Sequence, residues 1–343
     1  MNQVFSRRAA RIAIRLFVLV ACVQPFLEKH AAAEAIKIGL LKAIGGGPIF
    51  IAEDGGYFRD QGLSVELVYF EAAQPVAVAV ASGAIDFGLT AFTAGFFTLA
   101  DEGALRLIAG FVREAPGFPN GGYVVSRHAF DAGLHALNQL GGHSVAVTQV
   151  GSGFHLEVGL VAQKYGLDLH DIRILALQST TNIASALAGG QVDAAVLLSA
   201  QALPLVKRGD AKLLGWVGDE TPFQSAGVLT AKKTADTRRD VVERFLQAYR
   251  RGSRSYHDAF IDQTEHRRDS ASGAVAAAVI AKYTGLAPTD VASGIPYIDA
   301  DARLEVSSVL DQIAWFKSQG LVSPRLDGAA LIDRRYVVSL PGL

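Results

Sequence analysis

The sequence predicts an α/β protein of two lobes, each a mostly parallel β-sheet flanked by helices. Short apolar runs alternate with longer helical stretches, and this alternation starts again after residues 141 to 142. In addition, residues 79 to 88 align with residues 186 to 195, each comprising a helix end, a glycine and a strand entered through Asp. Two related α/β units are therefore expected.

In each unit the apolar runs predict strands, and helical spacing predicts the helices between them. The first unit has strands at residues 36 to 41, 64 to 70, 85 to 89 and 105 to 111, and helices around residues 50 to 60, 75 to 82 and 94 to 102. The second has strands at residues 144 to 148, 172 to 177, 194 to 198 and 212 to 217, and helices around residues 154 to 165, 182 to 188 and 201 to 207. Strands that are apolar on both faces are typical of a parallel sheet covered by helices.

The last third of the chain carries two stretches with apolar residues at helical spacing. Their apolar positions are Val241, Val242, Phe245, Leu246 and Tyr249 in the first, and Val306, Val309, Leu310, Ile313 and Phe316 in the second. Both helices are expected to pack on the first lobe. The chain then crosses between lobes near residues 121 to 123 and 227 to 233, which predicts a hinge. Lobe 1 is thus assigned residues 36 to 122 plus 231 to 343, and lobe 2 residues 123 to 230.

Residues 1 to 35 have the order of a secretory signal peptide: Arg7 and Arg8, an apolar run over residues 16 to 23, then alanines. The apolar run is shorter than the roughly 18 residues that a membrane-spanning helix needs. We therefore expect a periplasmic protein, secreted across the inner membrane. An alternative stays open, because Leu19-Val20-Ala21-Cys22 resembles the lipobox of bacterial lipoproteins, which would anchor the chain through a lipidated Cys22.

Composition excludes several classes of protein. Cys22 is the only cysteine, so the chain has neither a disulfide framework nor a cysteine-based metal site. A formal net charge of -1 gives no electrostatic surface for nucleic acid, and half of the residues are apolar, enough for the cores of two lobes. We expect a monomer with no metal, no cofactor and no nucleic-acid partner.

Two turns rich in glycine stand where a predicted strand passes into a helix. Gly46-Gly47-Pro48 follows the first strand, and Gly151-Ser152-Gly153 has the equivalent place in the second unit. A helix N-terminus offers free N–H donors and about half a positive charge, so the second turn is the better seat for an anionic or polar group. Pro48-Ile49 replaces the Lys-Ser/Thr of a Walker loop, and Leu156 replaces the third glycine of a Rossmann fingerprint. Simple turn glycines, with Ser152 only capping its helix, are the alternative.

Residues at the ends of other strands complete the predicted ligand site. Thr90-Ala91-Phe92 and Ser199 lie at the carboxyl ends of the matched strands, where doubly wound sheets bind ligands. Phe92 is expected to offer an aromatic surface, and Thr90 and Ser199 hydrogen bonds. Further candidates are Gln74, Gln149 and Phe154. Packing inside its own lobe is the alternative for each residue.

The chain resembles the periplasmic binding proteins for nitrate, sulfonate and taurine, and thiamine pyrimidine precursors, the SsuA/THI5-like or NMT1-like family. The resemblance lies in Gly45-Gly46-Gly47-Pro48, in residues 51 to 58 running into residues 62 to 66, in residues 81 to 88, in residues 140 to 147 and in Gly151-Ser152-Gly153. It implies a two-lobed periplasmic-binding-protein fold, type II-like, with the ligand in the interlobe cleft. It also implies delivery of the ligand to an ABC permease and its ATPase.

The motifs do not predict an enzyme. Ser152 lacks the wider Gly-x-Ser-x-Gly frame, and His155-Leu156-Glu157 lacks the Pro-Cys-x-x-Cys partner of a zinc deaminase. The sequence favours capture of a small organic anion, sulfonate-like or taurine-like ahead of nitrate-like, because Phe92 and Phe154 indicate a partly apolar cleft. Two alternatives stay open: a neutral heteroaromatic ligand such as a thiamine pyrimidine precursor, and an exported ligand-sensing domain.

Overall fold

The structure is a computed structural model that describes residues 33 to 340. Residues 1 to 32 of the predicted signal peptide, Cys22 included, lie outside the described residues. Glu34 and Ala35, at the end of that predicted segment, already belong to a strand. No helix within residues 33 to 340 combines the length and apolar character of a membrane span.

The strands and helices predicted for both units are present with ends that differ by a few residues, except that the helix predicted around residues 50 to 60 is divided at Gly55-Gly56 into two helices. In chain order the described strands are β1 (Glu34–Leu41), β2 (Leu63–Phe70), β3 (Phe87–Ala91), β4 (Leu105–Gly110), β5 (Val112–Arg113), β6 (Gly121–Ser126), β7 (Ser144–Val147), β8 (Arg173–Ala176), β9 (Ala194–Leu198), β10 (Ala211–Trp216), β11 (Ala226–Ala231) and β12 (Tyr297–Ile298). The described α-helices are α1 (Gly47–Asp54), α2 (Tyr57–Asp60), α3 (Ala73–Ala81), α4 (Ala94–Asp101), α5 (Arg127–Asp131), α6 (Gly153–Tyr165), α7 (Thr180–Ala188), α8 (Ser199–Arg208), α9 (Val217–Glu220), α10 (Lys232–Thr237), α11 (Arg239–Phe260), α12 (Ala271–Thr284), α13 (Pro288–Ser293), α14 (Val306–Ser318) and α15 (Gly328–Leu331).

The two large sheets have equivalent topologies. The first has the strand order β2-β1-β3-β11-β4, and the second has the order β8-β7-β9-β6-β10. As predicted, β1 is parallel to β2 and β3, and β7 is parallel to β8 and β9. By contrast, β11 and β6 are antiparallel to both of their neighbours. The two-lobed α/β architecture is confirmed, but the sheets are mixed rather than mostly parallel.

The antiparallel strands β6 and β11 were not predicted, and they explain why the sheets are mixed. Each strand is the first that the chain forms on entering the lobe from the other side, so its direction is not set by a helical crossover within the lobe. Both strands are six residues long and fully buried, so they show no alternation of polar and apolar residues. The predicted crossings at residues 121 to 123 and 227 to 233 therefore fall inside or just beyond strands.

The chain passes between the sheets at residues 111 to 120 and returns at residues 217 to 225, and hydrogen bonds join the two passages. The N–H of Glu114 donates to the carbonyl of Phe223 at 2.9 Å, and the N–H of Phe223 donates back at 3.1 Å. Gln224 is buried and donates to the carbonyl of Val112 at 3.1 Å. We propose lobe boundaries at these passages; the division at residues 122 and 230 stays a prediction.

Helix α11 packs on the first sheet, as the sequence predicts. Its apolar positions are all buried: Val241, Val242, Phe245, Leu246 and Tyr249. The Phe245 ring stacks on Phe87 of β3 with 3.9 Å between centroids, and the Tyr249 hydroxyl donates to the carbonyl of Gly110 at 3.0 Å. The packing of this helix supports β3 and β4 from one face.

Helix α14 contacts both lobes, whereas the sequence predicted packing on the first lobe alone. Phe316 lies 5.7 Å from Phe97 of α4, measured between ring centroids. Trp315 lies T-shaped against His155 of α6, with centroids 5.3 Å apart. Leu310, which was expected in the core, is exposed. The helix therefore reaches the start of α6, where the candidate site begins.

Candidate functional site

A cleft with about 750 Å³ of empty space, its mouth included, lies between the two sheets at the ends of their parallel strands. Its lining is mainly apolar, with a few hydroxyl groups, one amide and one carboxyl group. The lining residues are Leu40, Leu41, Ala43, Gly45, Gly46, Ala72, Ala73, Leu89, Thr90, Ala91, Phe111, Val112, Asn120, Thr148, Ser152, Gly153, Phe154, Glu157, Thr180, Leu198, Ser225 and Ala226. None of these lining residues is a lysine, an arginine or a histidine.

The two lobes touch each other around the cleft. The N–H of Ala94, at the start of α4, donates to the carbonyl of Gly151 in the second lobe at 2.8 Å. Across the mouth, the Thr181 hydroxyl donates to the Glu71 carboxylate at 3.0 Å. A Cβ atom placed on Gly153 would lie 3.3 Å from the Cβ of Ala91. The described conformation is therefore closed, with both walls within reach of one small molecule.

Helix α6 begins at the cleft wall, and its first turn holds the predicted anion seat. Ser152 is the N-cap, and its hydroxyl oxygen accepts the N–H of His155 at 3.2 Å. Gly151 has a φ of 82°, in the left-handed region that favours glycine. Within residues 33 to 340, the N–H groups of Gly153 and Phe154 have no protein acceptor, and both residues line the cleft. The structure thus brings Ser152, Gly153 and Phe154 together at one helix N-terminus.

His155 positions this turn from behind. Its Nδ1 atom accepts the N–H of Gly151 at 3.1 Å, and its ring is buried against Trp315. Burial lowers the pKa of His155, which favours the neutral imidazole that this acceptor role needs. From the sequence we predicted His155 to be a helix-surface or supporting residue; its spacing of four residues from Gly151, on the first helical turn, was the available signal for this contact.

The first-lobe turn Gly46-Gly47-Pro48 forms part of the cleft wall but offers no free N–H donor at Gly46 or Gly47. Gly46 lines the cleft, but its N–H donates to the carbonyl of Ala43 at 3.0 Å. The N–H of Gly47 donates to the carbonyl of Ile44 in the same 3₁₀ turn. Gly47 and Pro48 are buried behind the cleft wall and do not line it.

The strand end at Thr90-Ala91-Phe92 reaches the cleft only in part. Thr90 and Ala91 line it, and the Thr90 hydroxyl donates to the carbonyl of Ala73 at 3.3 Å. Phe92 is fully buried, with its ring centroid 5.5 Å from that of Phe96. Its side chain joins the aromatic core beneath α4, because β3 ends at Ala91 and the chain turns there. The expectation that Phe92 offers an aromatic surface to the cleft is therefore wrong.

Three other predicted residues brace the lobes and do not line the cleft. Gln74 accepts a hydrogen bond from Thr93, the N-cap of α4. Gln149 accepts the N–H of Ser152 with its backbone carbonyl at 3.1 Å. Ser199 is buried, and its hydroxyl donates to the carbonyl of Gly294 at 3.0 Å. Each makes at least one hydrogen bond within the protein.

The cleft also contains residues that sequence reasoning missed. Thr148 directly follows β7, and Thr180 begins α7, so both are hydroxyl residues at ends that face the cleft. Phe111 follows β4 and takes the place expected for Phe92 as the first-lobe aromatic residue. The signal for Thr148 and Phe111 was present, since both stand at the end of a predicted strand.

Glu157 is the only carboxylate among the lining residues of the described chain. It is 4% exposed, and its Oε2 atom has no hydrogen-bond partner within residues 33 to 340. Glu114 is buried nearby, and accepts the side-chain amide of Asn120 and the N–H of Gly121. Burial raises the pKa of Glu114 to about 8, and burial followed by the charge of Glu114 raises the pKa of Glu157. Neutral carboxyl groups are therefore favoured at neutral pH.

Within the described residues, no cluster of three or more His, Cys, Asp or Glu side chains is arranged to hold a metal ion. The lining residues of the cleft offer hydrogen bonds and apolar contacts. One helix N-terminus provides donors, several hydroxyl groups provide both donors and acceptors, and Glu157 provides a carboxyl group.

Comparisons with known proteins agree with this architecture. The chain is similar to the alkanesulfonate-binding protein SsuA from Xanthomonas axonopodis pv. citri bound to MOPS, at 23% identity and a TM-score of 0.70, covering 88% of this chain and 99% of that one. It is similar to the periplasmic aliphatic sulphonate binding protein SsuA from Escherichia coli, at 20% identity and a TM-score of 0.65, covering 90% of this chain and 94% of that one. It is also similar to the periplasmic nitrate-binding protein NrtA from Synechocystis PCC 6803, at 11% identity and a TM-score of 0.67, covering 87% of this chain and 85% of that one.

These structural likenesses confirm the two-lobed periplasmic-binding-protein fold. A search of curated proteins finds no match. The family model described as NMT1/THI5 like matches residues 46–260, more than half of the chain. The chain therefore belongs to the NMT1/THI5-like family.

Proposed function

We propose that the protein is the extracytoplasmic substrate-binding component of an ABC importer, and that it captures a small organic anion in the interlobe cleft. The observation that carries this proposal is the N-terminus of α6, where Gly153 and Phe154 line the cleft and their N–H groups have no acceptor in the described chain. Free N–H donors and the helix dipole favour an anion at this position. The Ser152 hydroxyl adds a third donor, which suits the three oxygens of a sulfonate.

The remainder of the cleft suits the apolar body of such a ligand. Phe154 contributes an aromatic side chain from the second lobe, and Phe111 contributes one from the first. A sulfonate-like or taurine-like ligand has an apolar part to place against them, whereas nitrate has none. We therefore place sulfonates ahead of nitrate.

We further propose that the protein acts in the periplasm as a monomer, without a cofactor and without turnover, and that it delivers its ligand to a permease with a cytoplasmic ATPase. The similarity to a periplasmic sulfonate-binding protein and a periplasmic nitrate-binding protein supports this proposal. Mass measurement of the exported protein tests the location. A chain beginning near Glu34 or Ile36 is expected, a lipidated Cys22 would show anchoring instead, and a cytoplasmic chain that retains Met1 would overturn export.

A neutral heteroaromatic ligand, such as a thiamine pyrimidine precursor, is the second candidate. It is favoured by the lack of any lysine or arginine among the lining residues of the described chain. A 4-aminopyrimidine would rely on Phe111, Phe154 and the hydroxyl groups rather than on the helix dipole.

Titration calorimetry with propane-1-sulfonate, sodium nitrate and a 4-aminopyrimidine distinguishes these ligand classes. Our proposal predicts the tightest binding for the sulfonate. Preference for the pyrimidine would support the second candidate, and binding of none of the three would overturn the proposed ligand class. Stimulation of a permease complex by the loaded protein in membrane vesicles then separates an importer component from a sensing domain.

A further inference from the structure

The cleft contains one polar group that the anion seat leaves unexplained. Glu157 lines the cleft from α6, is 96% buried, and leaves its Oε2 atom without a partner in residues 33 to 340. A buried polar atom without a hydrogen bond costs free energy, so such an atom in a binding protein points to a group that the ligand supplies.

Glu114 accounts for the environment of Glu157, but no hydrogen bond joins the two carboxyl groups in the described chain. A Cβ atom placed on Gly121 would lie 3.2 Å from Glu114 Oε1 and 3.4 Å from Glu157 Oε2, so the two carboxyl groups approach the same backbone position. The Glu114 oxygens already accept the Gly121 N–H and the Asn120 amide. Neither Asn120 nor Gly121 donates a hydrogen bond to Glu157 Oε2.

The geometry of α6 relates this carboxyl group to the anion seat. Glu157 follows Gly153 by four residues, so both lie on the same face of the helix, separated by a rise of about 6 Å. One end of the cleft therefore offers N–H donors, and a point one helical turn away offers a carboxyl acceptor. Apolar residues lie around both.

We propose that Glu157 binds a hydrogen-bond donor of the ligand, an amine or another N–H group, at the end opposite to the group seated on the N-terminus of α6. This proposal rests on the proposed function, because it uses the same cleft. It defines the ligand as a molecule with an acceptor or anionic end and an N–H end about one helical turn apart. An ammonium group at this point would favour the ionised form of Glu157, and binding would then release the proton that the empty site holds.

The test compares 3-aminopropane-1-sulfonate with propane-1-sulfonate, two probes that differ only in the amine. We expect the parent protein to bind the aminosulfonate on the order of tenfold tighter or more, the range of one hydrogen bond to a charged group. Glu157→Met, which removes both oxygens, should reduce this ratio to about one. Glu157→Gln, which keeps one acceptor, should give a ratio between the two.

Glu220→Gln is the matched control, because Glu220 bonds to Lys164 of α6, the helix that carries Glu157, and does not line the cleft. It should keep the parent's ratio. Equal binding of both probes by the parent, or an unchanged ratio in folded Glu157→Met, would overturn the role of Glu157 and leave the receptor proposal standing. Binding of neither probe by the parent would overturn the sulfonate proposal, and the role of Glu157 with it.

Discussion

Replacing the N-cap of α6 separates a structural role of Ser152 from a ligand-binding role. Ser152 is buried, and its hydroxyl oxygen accepts the N–H of His155 at 3.2 Å. Its O–H donates no hydrogen bond to another protein group in the described chain. Ser152→Ala therefore removes a helix cap and, if the proposal holds, one donor to the bound anion. The cap alone is worth about 1 kcal/mol of stability.

The binding effect should be larger than the effect on stability. A hydrogen bond to a charged group contributes about 1.5 to 3 kcal/mol, which corresponds to a loss of roughly tenfold to over a hundredfold in affinity. The N–H groups of Gly153 and Phe154 remain in the variant, so some binding should persist. Titration calorimetry with propane-1-sulfonate measures the affinity, and chemical unfolding measures the stability.

Ser270→Ala provides the matched control. Ser270 caps α12, a helix of 14 residues against 13 for α6, and its hydroxyl oxygen accepts the N–H of Gly273 at 2.8 Å. It does not line the cleft. The control should lose a similar amount of stability and bind like the parent. Parent-like binding by folded Ser152→Ala, or an equal loss of affinity in both variants, would refute the reasoning.

Three further predictions address pH, the interlobe contact and closure. The free energy of unfolding should fall by up to about 3 kcal/mol between pH 5 and pH 7. Folded Glu114 keeps its proton up to a pKa of about 8, whereas the unfolded group ionises near pH 4.5. The stability that Glu114 contributes is therefore complete below pH 4.5 and is lost as the pH rises. Glu114→Gln should reduce this slope in urea titrations, with buried Glu157 keeping part of it, and an unchanged slope would contradict the assignment. Gly151→Ala should weaken sulfonate binding, because its Cβ would lie 2.9 Å from the Cβ of Ala94. The control Gly166→Ala has a similar φ of 67° and no neighbour within 4 Å, so it should lose only stability. Equal sulfonate affinities of the two variants would show that the contact between Gly151 and Ala94 is unimportant. Small-angle scattering should show a smaller radius of gyration when propane-1-sulfonate is added, and a constant radius despite tight binding would argue against a closing clamp.

Much of the fold could be predicted because each lobe repeats strongly patterned elements. β9 was predicted at its observed ends because it is an unbroken apolar run entered through Asp193, and α6 was predicted within one residue because glycines mark both of its ends. The strands β6 and β11 were missed because Gly121-Gly122 and Gly227 lie at their starts, and these positions were assigned to crossings between the lobes. Their partners lie far away in the sequence, so only tertiary pairing identifies them.

The candidate site could be predicted in part. Strand ends and helix starts located Thr90, Ser152, Gly153 and Phe154, because backbone topology alone brings these positions to the cleft. The direction of the Phe92 side chain depended on a turn whose geometry the sequence does not encode in a recognisable motif. Glu157 was beyond prediction as well, since a carboxylate within a helix is typically exposed, and its burial follows from the packing of α6 against Glu114 and the passage between the lobes.

The most direct test of the account is a crystal structure of the protein with bound propane-1-sulfonate. The account predicts the sulfonate in the interlobe cleft, with its oxygens about 2.7 to 3.2 Å from the backbone nitrogens of Gly153 and Phe154. It also predicts that Ser152 Oγ lies within hydrogen-bond distance of the same group. A sulfonate bound elsewhere, with those two N–H groups still lacking an acceptor, would contradict the central claim that the N-terminus of α6 is the anion seat.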